Sequence, residues 1–452
     1  MTTPLKADAS PTKAFFVRML TRDITLDDCI LDLVDNSTDG AWESTGANPS
    51  EITSDTTLAA FSIDITIEPE LFRIADNCGG IHLVDAQNYA FTFGRKEDEP
   101  PSDFTVGVYG IGMKRAVFKL GNSISVESTY EAEGQLAAFR VPIQVDQWAR
   151  DNTEDWDFEI EEIAPGSSAG VTIEVRDLSA ETRQKFDDPT FARLLRQTLG
   201  RDYLIPLMRG LRITVNGAPV TSQPLLLQEG GDFAPMRHVY EDEDVTIEIV
   251  AGMAAAPPDD SDPESQARPD RVSGWYIVCN GRVVLAADRT SVTGWGSAWQ
   301  QQWHPQYNGF VGIVLFSAVD ATKLPMTTTK RSVDTSSAVY ARALVQMAAP
   351  ARAWITYTNQ RKAEREQAVE RERLSKPTPL ANVRPREQVS LPNLSGGERK
   401  PRERVANVNY SVPLKRMHAL AAALGGINLP YREVGAKSFD YAYESLVDEA
   451  DE

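Results

Sequence analysis

Residues 60–68, AFSIDITIE, alternate apolar and polar side chains, a period of two that suits a strand and not a helix. A segment of this kind needs a sheet with one face buried, and something apolar to cover that face. Pro69 and Glu70 then turn the chain into LFRIAD, the expected antiparallel neighbour. The cover is expected just upstream. Over 23–39, Ile24, Leu26, Ile30, Leu33 and Val34 fall at helical spacing, and Gly40 suits the stop. Further strands are expected at 124–130, 136–144, 156–162 and 171–176, so residues 1–178 read as an α+β domain.

Residues 179–209 have a helical pattern, and LRITVNGAPV (211–220) is expected to open a second β-rich unit over 179–350. That unit carries an acidic Pro/Ser/Asp-rich loop near 256–271, followed by the strand candidates SGWYIVCNGRVVLA and FVGIVLFSA. A long helical stretch begins at 335, with Pro350 as a candidate interruption. Residues 351–405 are expected to form a helical extension and a basic Pro/Arg-rich linker, and 406–452 a small C-terminal interaction segment.

The chain has 452 residues, enough for two to four domains, and a formal charge of −19 from 46 basic and 65 acidic residues. The charge is uneven. Residues 1–360 carry 30 basic and 51 acidic side chains, whereas 361–416 carry 14 and 7. An acidic body repels nucleic acid, so DNA or an acidic protein surface would meet the chain through 361–416. Cys29, Cys78 and Cys279 lie too far apart for a metal motif or a disulfide framework, which fits a cytoplasmic protein. No apolar run approaches the ~20 residues of a membrane span, and no secretory leader is recognised.

Three clusters carry chemistry. Asp32, Asn36 and Asp39 share one broad face of the first long helix, where a carboxylate and an amide can polarise a water and complete the oxygen shell of Mg2+. A solvated helical face would carry the same residue types. DNCGGI (76–81) ends a strand with a carboxylate that can accept from an exocyclic amine, beside glycines that admit a flat ring; a plain Asp-Asn-Gly turn explains it equally well. GVYGIGMKRAVFKLG (107–121) sets Gly107, Gly110 and Gly112 before an apolar helix, the layout in which first-turn N–H groups wrap phosphate oxygens, with Lys114 as an added point charge. It fits neither the Walker loop nor the dinucleotide fingerprint.

In this order, LDLVDNSTDGA, IADNCGGI and GVYGIGMKRA resemble the ATP-binding module of the GHKL superfamily: Hsp90-type chaperones, gyrase B subunits, MutL, MORC proteins and sensor histidine kinases. The resemblance implies a Bergerat-type sandwich, helices over a mixed, mainly antiparallel sheet, that binds ATP and Mg2+. It implies Asp32 as general base, Asn36 as the Mg2+ ligand and Asp76 as the adenine reader. Gly80 would lie under the base. Gly107, Gly110, Ile111, Gly112, Met113 and Lys114 would form the phosphate end of a lid over 82–106. Asp39 and Thr172 join the nucleotide contacts. Asp32 stands where hydrolysing members commonly carry glutamate, Cys78 replaces a glycine of DNGxG, and Val171 takes the usual threonine position one residue before Thr172.

The second unit looks like the S5-like transducer of gyrase B, MutL and MORC proteins. There LPMTTTKRSVD makes Lys330 the lysine that reaches the γ-phosphate, with Lys323 and Arg331 as rivals. The layout is nearest to MORC/MutL-like proteins. It implies a slow Mg2+-dependent ATPase that dimerises on ATP, in a DNA-associated or anti-phage context. The alternative is an ATP-binding interaction protein that barely hydrolyses.

Overall fold

The computed structural model describes residues 11–53, 55–94, 103–107, 110–151, 155–258, 272–298, 300–394, 411–426 and 428–447. Helix α1 (Lys13–Arg22) leads to α2 (Leu26–Thr45), which starts where the Thr25 hydroxyl accepts from the Asp28 N–H. Asp27 and Asp28 sit in its first turn, where the helix dipole favours negative charge. The expected stop at Gly40 is incorrect. The helix runs on to a left-handed cap at Gly46, and Gly40 serves contact instead: a Cβ there would lie 2.6 Å from the Cys78 carbonyl oxygen. Helix α2 can therefore press against the loop that follows the second strand.

Strands β1 (Ser62–Glu68) and β2 (Leu71–Asp76) pair antiparallel, as the alternation predicts. A helical turn α3 (Leu83–Asp85) and a wider turn (Ala86–Ala90) follow, then α4 (Gly112–Leu120), β3 (Gly121–Ala132), β4 (Gln135–Gln144), α5 (Val145–Arg150), β5 (Glu161–Ile163) and β6 (Gly170–Leu178). The strand expected at 156–162 forms only at its end. Three helices, α6 (Ala180–Asp187), α7 (Pro189–Asp202) and α8 (Leu204–Met208), carry the chain to β7 (Arg212–Val215) and β8 (Ala218–Pro219).

LRITVNGAPV does not open a second unit. Strand β7 pairs parallel with β1, giving one eight-stranded sheet in the order β5-β4-β3-β6-β2-β1-β7-β8. Alternation reveals a strand but not its neighbour, and the α6–α8 connection is long enough to return the chain beside β1. Buried residues of α2, α4 and the sheet, such as Ile30, Val34, Ile65, Phe72 and Val126, share one core.

The second sheet contains β10 (Met236–Asp242), β11 (Val245–Met253), β12 (Gly274–Cys279), β13 (Arg282–Asp288) and β14 (Phe310–Ser317), in the order β10-β11-β14-β12-β13. Both faces are covered. Tyr276, Val278, Ile313 and Leu315 join the core of the first sheet, while Trp275, Ile277, Val314 and Phe316 pack with Tyr340 and Trp354 of α9 (Ala338–Ala363). That explains why β12 and β14 are buried throughout rather than alternating. Pro350 does not interrupt α9; the break falls at Glu364, before α10 (Arg365–Glu372).

The stretch read as a linker is, over 374–394, a strap. Strand β15 (Lys376–Pro379) pairs with β9 (Leu226–Glu229), Arg386 and Ser390 exchange backbone hydrogen bonds with Arg237 and Ala234, and Leu380, Val383 and Leu394 are buried. Main-chain pairing replaces the apolar content whose scarcity suggested a linker. Residues 395–405, and 259–271 of the expected acidic loop, lie outside the described residues.

Contacts gather residues 1–396 into one compact unit and 397–452 into another. In the latter, α11 (Leu414–Ala423) and α12 (Tyr431–Leu446) bury Ala421 and Val434. Among the described residues, no helix is long and apolar enough to cross a membrane.

Candidate functional site

Helix α2 carries Asp28, Asp32, Asp35 and Asp39 at intervals of four, three and four, so all four carboxylates line one side. Asp32 and Asp35 are 4% and 2% exposed, and ionised carboxylates so placed require partners. Each acid meets a different segment. Asp28 pairs with Arg331. On Asp32, Oδ2 accepts from Nε of Arg115 on α4 at 2.8 Å and faces its terminal guanidinium nitrogen at 2.7 Å, while Oδ1 lies 3.4 Å from Lys330 Nζ. Asp35 accepts from Lys330 Nζ at 2.8 Å, Arg282 Nε at 2.9 Å and the Tyr203 hydroxyl at 2.6 Å. Asp39 accepts from the Val106 and Gly107 N–H groups.

Burial alone would raise the Asp35 carboxyl, but Lys330 and Arg282, together with hydrogen bonds from Lys330 and Tyr203, hold it below the ordinary carboxylate range. For Lys330, burial works to neutralise the ammonium, and Asp35 and Asp32 outweigh it and raise its pKa. Lys330 also has a left-handed backbone, φ 56°, in a turn closed by its N–H to the Thr327 carbonyl. A lysine gains nothing intrinsic from that conformation, which aims its side chain at the α2 acids.

Asp76 ends β2 half-buried. Oδ2 accepts from the Ser37 hydroxyl at 2.6 Å, and Oδ1 accepts from Cys78 N–H at 3.0 Å and Val171 N–H at 3.2 Å. A carboxylate offers about four acceptor positions, so these three donors leave capacity for one more. Burial pushes this carboxyl up, against those three hydrogen bonds. Gly80 lies so close to β3 that a Cβ would be 2.1 Å from the Thr129 carbonyl oxygen, which keeps the DNCGG loop flat against the sheet. Cys78, in the position of a family glycine, turns its side chain into the core.

A cavity of about 560 Å³, within the usual range for small-molecule sites, joins these groups. Asp32, Asn36, Asp39, Asp76, Gly80, Gly107, Gly110, Ile111, Gly112, Met113, Lys114 and Lys330 all line it. Thr172 does not. Val171 and Ile173 line the cavity, and the strand alternation turns Thr172 to the other face of the sheet. Neither rival of Lys330 is among the residues that line the cavity: Lys323 pairs with Asp244, and Arg331 with Asp28 and Asp202. Lys114 donates back to the Ala90 and Gly110 carbonyls, holding the glycine loop to the end of the wider turn Ala86–Ala90.

Residues 24–169 match the family model described as histidine kinase-, DNA gyrase B-, and HSP90-like ATPase. This segment is a domain of that family. The match leaves out Lys330, Arg282 and the second sheet, and no curated protein matches the chain. The matched segment thus contributes Asp32, Asn36, Asp76, the glycine loop and Arg115, and the rest of the same compact unit contributes Lys330 and Arg282. The MORC/MutL-like layout is compatible with this division.

Sequence reasoning missed Arg115, Arg282, Tyr203, Asp35 and Ser37. The first three touch α2 from distant positions in the chain. Asp35 and Ser37 were open to view: the four acids of α2 repeat with a helical period inside an apolar segment, and such a stripe calls for cations wherever it is buried.

Asp39 gives a pH test. Burial raises its carboxyl to about 7 while Lys330 opposes and Asp35 adds to the rise. Because the folded value exceeds the unfolded value of about 3.9, the folded protein holds a proton between these limits that the unfolded chain releases. This contribution to stability falls as pH rises from about 4 to about 7 and is flat above. A carboxyl carbon NMR titration is expected to show a midpoint near 7 that moves higher in Lys330→Ala, and Asp39→Asn is expected to remove the slope.

Proposed function

We propose that the cavity binds ATP with Mg2+ and hydrolyses it slowly, and that nucleotide occupancy drives a dimerisation or conformational switch. The observation that carries this reading is the joining of Asp76, Asn36, Asp32 and Lys330 in one cavity beside the glycine loop. Asp76 would take the adenine amine on its remaining acceptor position. The N–H groups at the start of α4 would face the phosphates, aided by the helix dipole.

Among the described residues, no group of three or more His, Cys, Asp or Glu side chains is placed to hold a metal. Asn36 fits a different demand. Its side chain is exposed on the cavity side of α2 between buried Asp35 and Ser37, and it makes no hydrogen bond to another described residue. One amide oxygen suits Mg2+, which keeps several waters and takes its remaining ligands from phosphates. Such an ion, when bound, neutralises phosphate charge. Asp32 Oδ1 would accept the proton of the attacking water, and the Lys330 ammonium would face the charge that develops on the terminal phosphate.

A second reading, ATP binding with little turnover, is favoured by one observation: Asp32 is held by two cations, a poor resting state for a base. A homodimer closed by ATP, and a DNA or protein contact through 361–416, belong to the proposed switch; a defence role would place it in a biological system.

Binding is tested by calorimetry with a non-hydrolysable ATP analogue, with and without Mg2+. Asp76→Asn replaces one acceptor oxygen with a donor. Loss of a hydrogen bond to a charged group, about 1.5–3 kcal/mol, is expected to weaken binding roughly 10- to 100-fold. Unchanged affinity would place the adenine elsewhere. Phosphate release with and without duplex DNA, and mass measurement with the analogue, test turnover and dimerisation.

A further inference from the structure

The two oxygens of Asp32 are treated differently. Both near nitrogens of the Arg115 guanidinium, Nε and one terminal nitrogen, converge on Oδ2 at 2.8 and 2.7 Å. This is not the usual fork, in which each nitrogen takes its own carboxylate oxygen. Oδ1 is left to Lys330, at 3.4 Å, and Lys330 has the closer partner Asp35 at 2.8 Å. Arg115 is therefore the tight clamp and Lys330 the loose one.

Arg115 belongs to the helix that starts at the glycine loop. Gly112, the first residue of α4, approaches the Asp32 side chain, with an added Cβ at 3.5 Å from its Cγ. Arg115 stands three residues further along, with its N–H bonded to the Ile111 carbonyl. The backbone that would face phosphates and the side chain that grips Asp32 thus form one rigid piece less than one turn apart.

We propose that Arg115 is a positioning residue for hydrolysis: it fixes Asp32 through Oδ2, so that Oδ1 alone is presented to the cavity once a terminal phosphate draws Lys330 away. This rests on the reading of Asp32 as the base. Arg115 also lines the cavity, and in this account it acts on the chemistry only through the carboxylate. A planar guanidinium with two donors fixes the rotation of Asp32 about its side-chain bonds. A lysine in its place would supply charge without that constraint.

The test compares Arg115→Gln and Arg115→Lys in the full chain. It uses ATP-analogue affinity, single-turnover phosphate release from radiolabelled ATP and the thermal unfolding midpoint. Expected is a fall in the rate of roughly 10- to 100-fold in Arg115→Gln with affinity within about 3-fold of the parent, and a partial recovery in Arg115→Lys. A residue that only supports the fold would lower rate, affinity and midpoint together, and Arg115→Lys would match the parent; either result overturns the proposal, as does an unchanged rate in Arg115→Gln. If Arg115→Gln does not fold, Arg115→Lys decides, with a reduced rate at unchanged affinity supporting the clamp. Asp32→Asn is run alongside. Full turnover in that variant removes the base reading itself, an outcome separate from any result at Arg115.

Discussion

Asp32→Asn is expected to bind ATP analogue as the parent does and to release phosphate roughly 100- to 10,000-fold more slowly, the range for removal of a general base. The amide is nearly the same size, so packing against Gly112 is kept, while the oxygen that would take the proton loses its basicity. Arg115 and Lys330 lose part of their compensation, but each retains access to solvent or a second acid, and Lys330 keeps Asp35. Quenched-flow measurement of labelled phosphate, with calorimetry on the same preparation, checks both halves. Loss of binding together with turnover would make Asp32 a structural acid, and parental turnover would favour another base.

The largest expected effect on stability is at Asp35. Its carboxylate is the shared acceptor of Lys330, Arg282 and Tyr203, and Arg282 also approaches Asp202 at 3.2 Å and lies over the Tyr203 ring, 4.6 Å from its centre. Removing one member of a buried ion pair typically costs about 3–5 kcal/mol, because its partners stay buried and uncompensated. Asp202 still serves Arg282, so Asp35→Ala is expected near about 3 kcal/mol, read from chemical denaturation. A second change, Arg282→Met, made together with Asp35→Ala, is expected to recover part of that loss. The pH dependence has a definite sign. The folded pKa of Asp35 is depressed, so the stabilisation is full above the ordinary carboxylate range near pH 4 and is lost as pH falls below it. Asp35→Ala should flatten that acid limb.

The sheet and the cavity were legible to different depths in the sequence. Strands β1 and β2, helix α2, the glycine loop and the DNCGG turn are local patterns, and local patterns survive without knowledge of the rest of the fold. Eleven of the twelve expected residues that line the cavity lie in those patterns, and Lys330 is the twelfth, added by resemblance. Thr172 failed by one position, because a threonine one residue late in a strand faces the wrong side of the sheet. Gly40 was misjudged because a glycine that ends a helix and one that admits a neighbouring chain look alike until the neighbour is placed. The parallel pairing of β7 with β1, and the strap over 374–394, depend on long-range main-chain pairing that carries no composition signal. Arg115 and Arg282 were invisible for the same reason, yet the acids that hold them were not.

The hairpin between β12 and β13 turns at Asn280-Gly281, and Asn280 is itself buried, donating to the Thr105 and Ala318 carbonyls while accepting from the Ala318 N–H. Two residues later Arg282 is sealed against Asp35. The hairpin is therefore latched to the start of the glycine-loop region and to α2 at once. Of the cations on Asp35, only Lys330 also lines the cavity. An incoming phosphate would change the charge count on the latch without opening it. The mechanical consequence is that the second sheet is expected to pivot about this point, as a lever on a fixed pin, rather than separate from the ATPase domain.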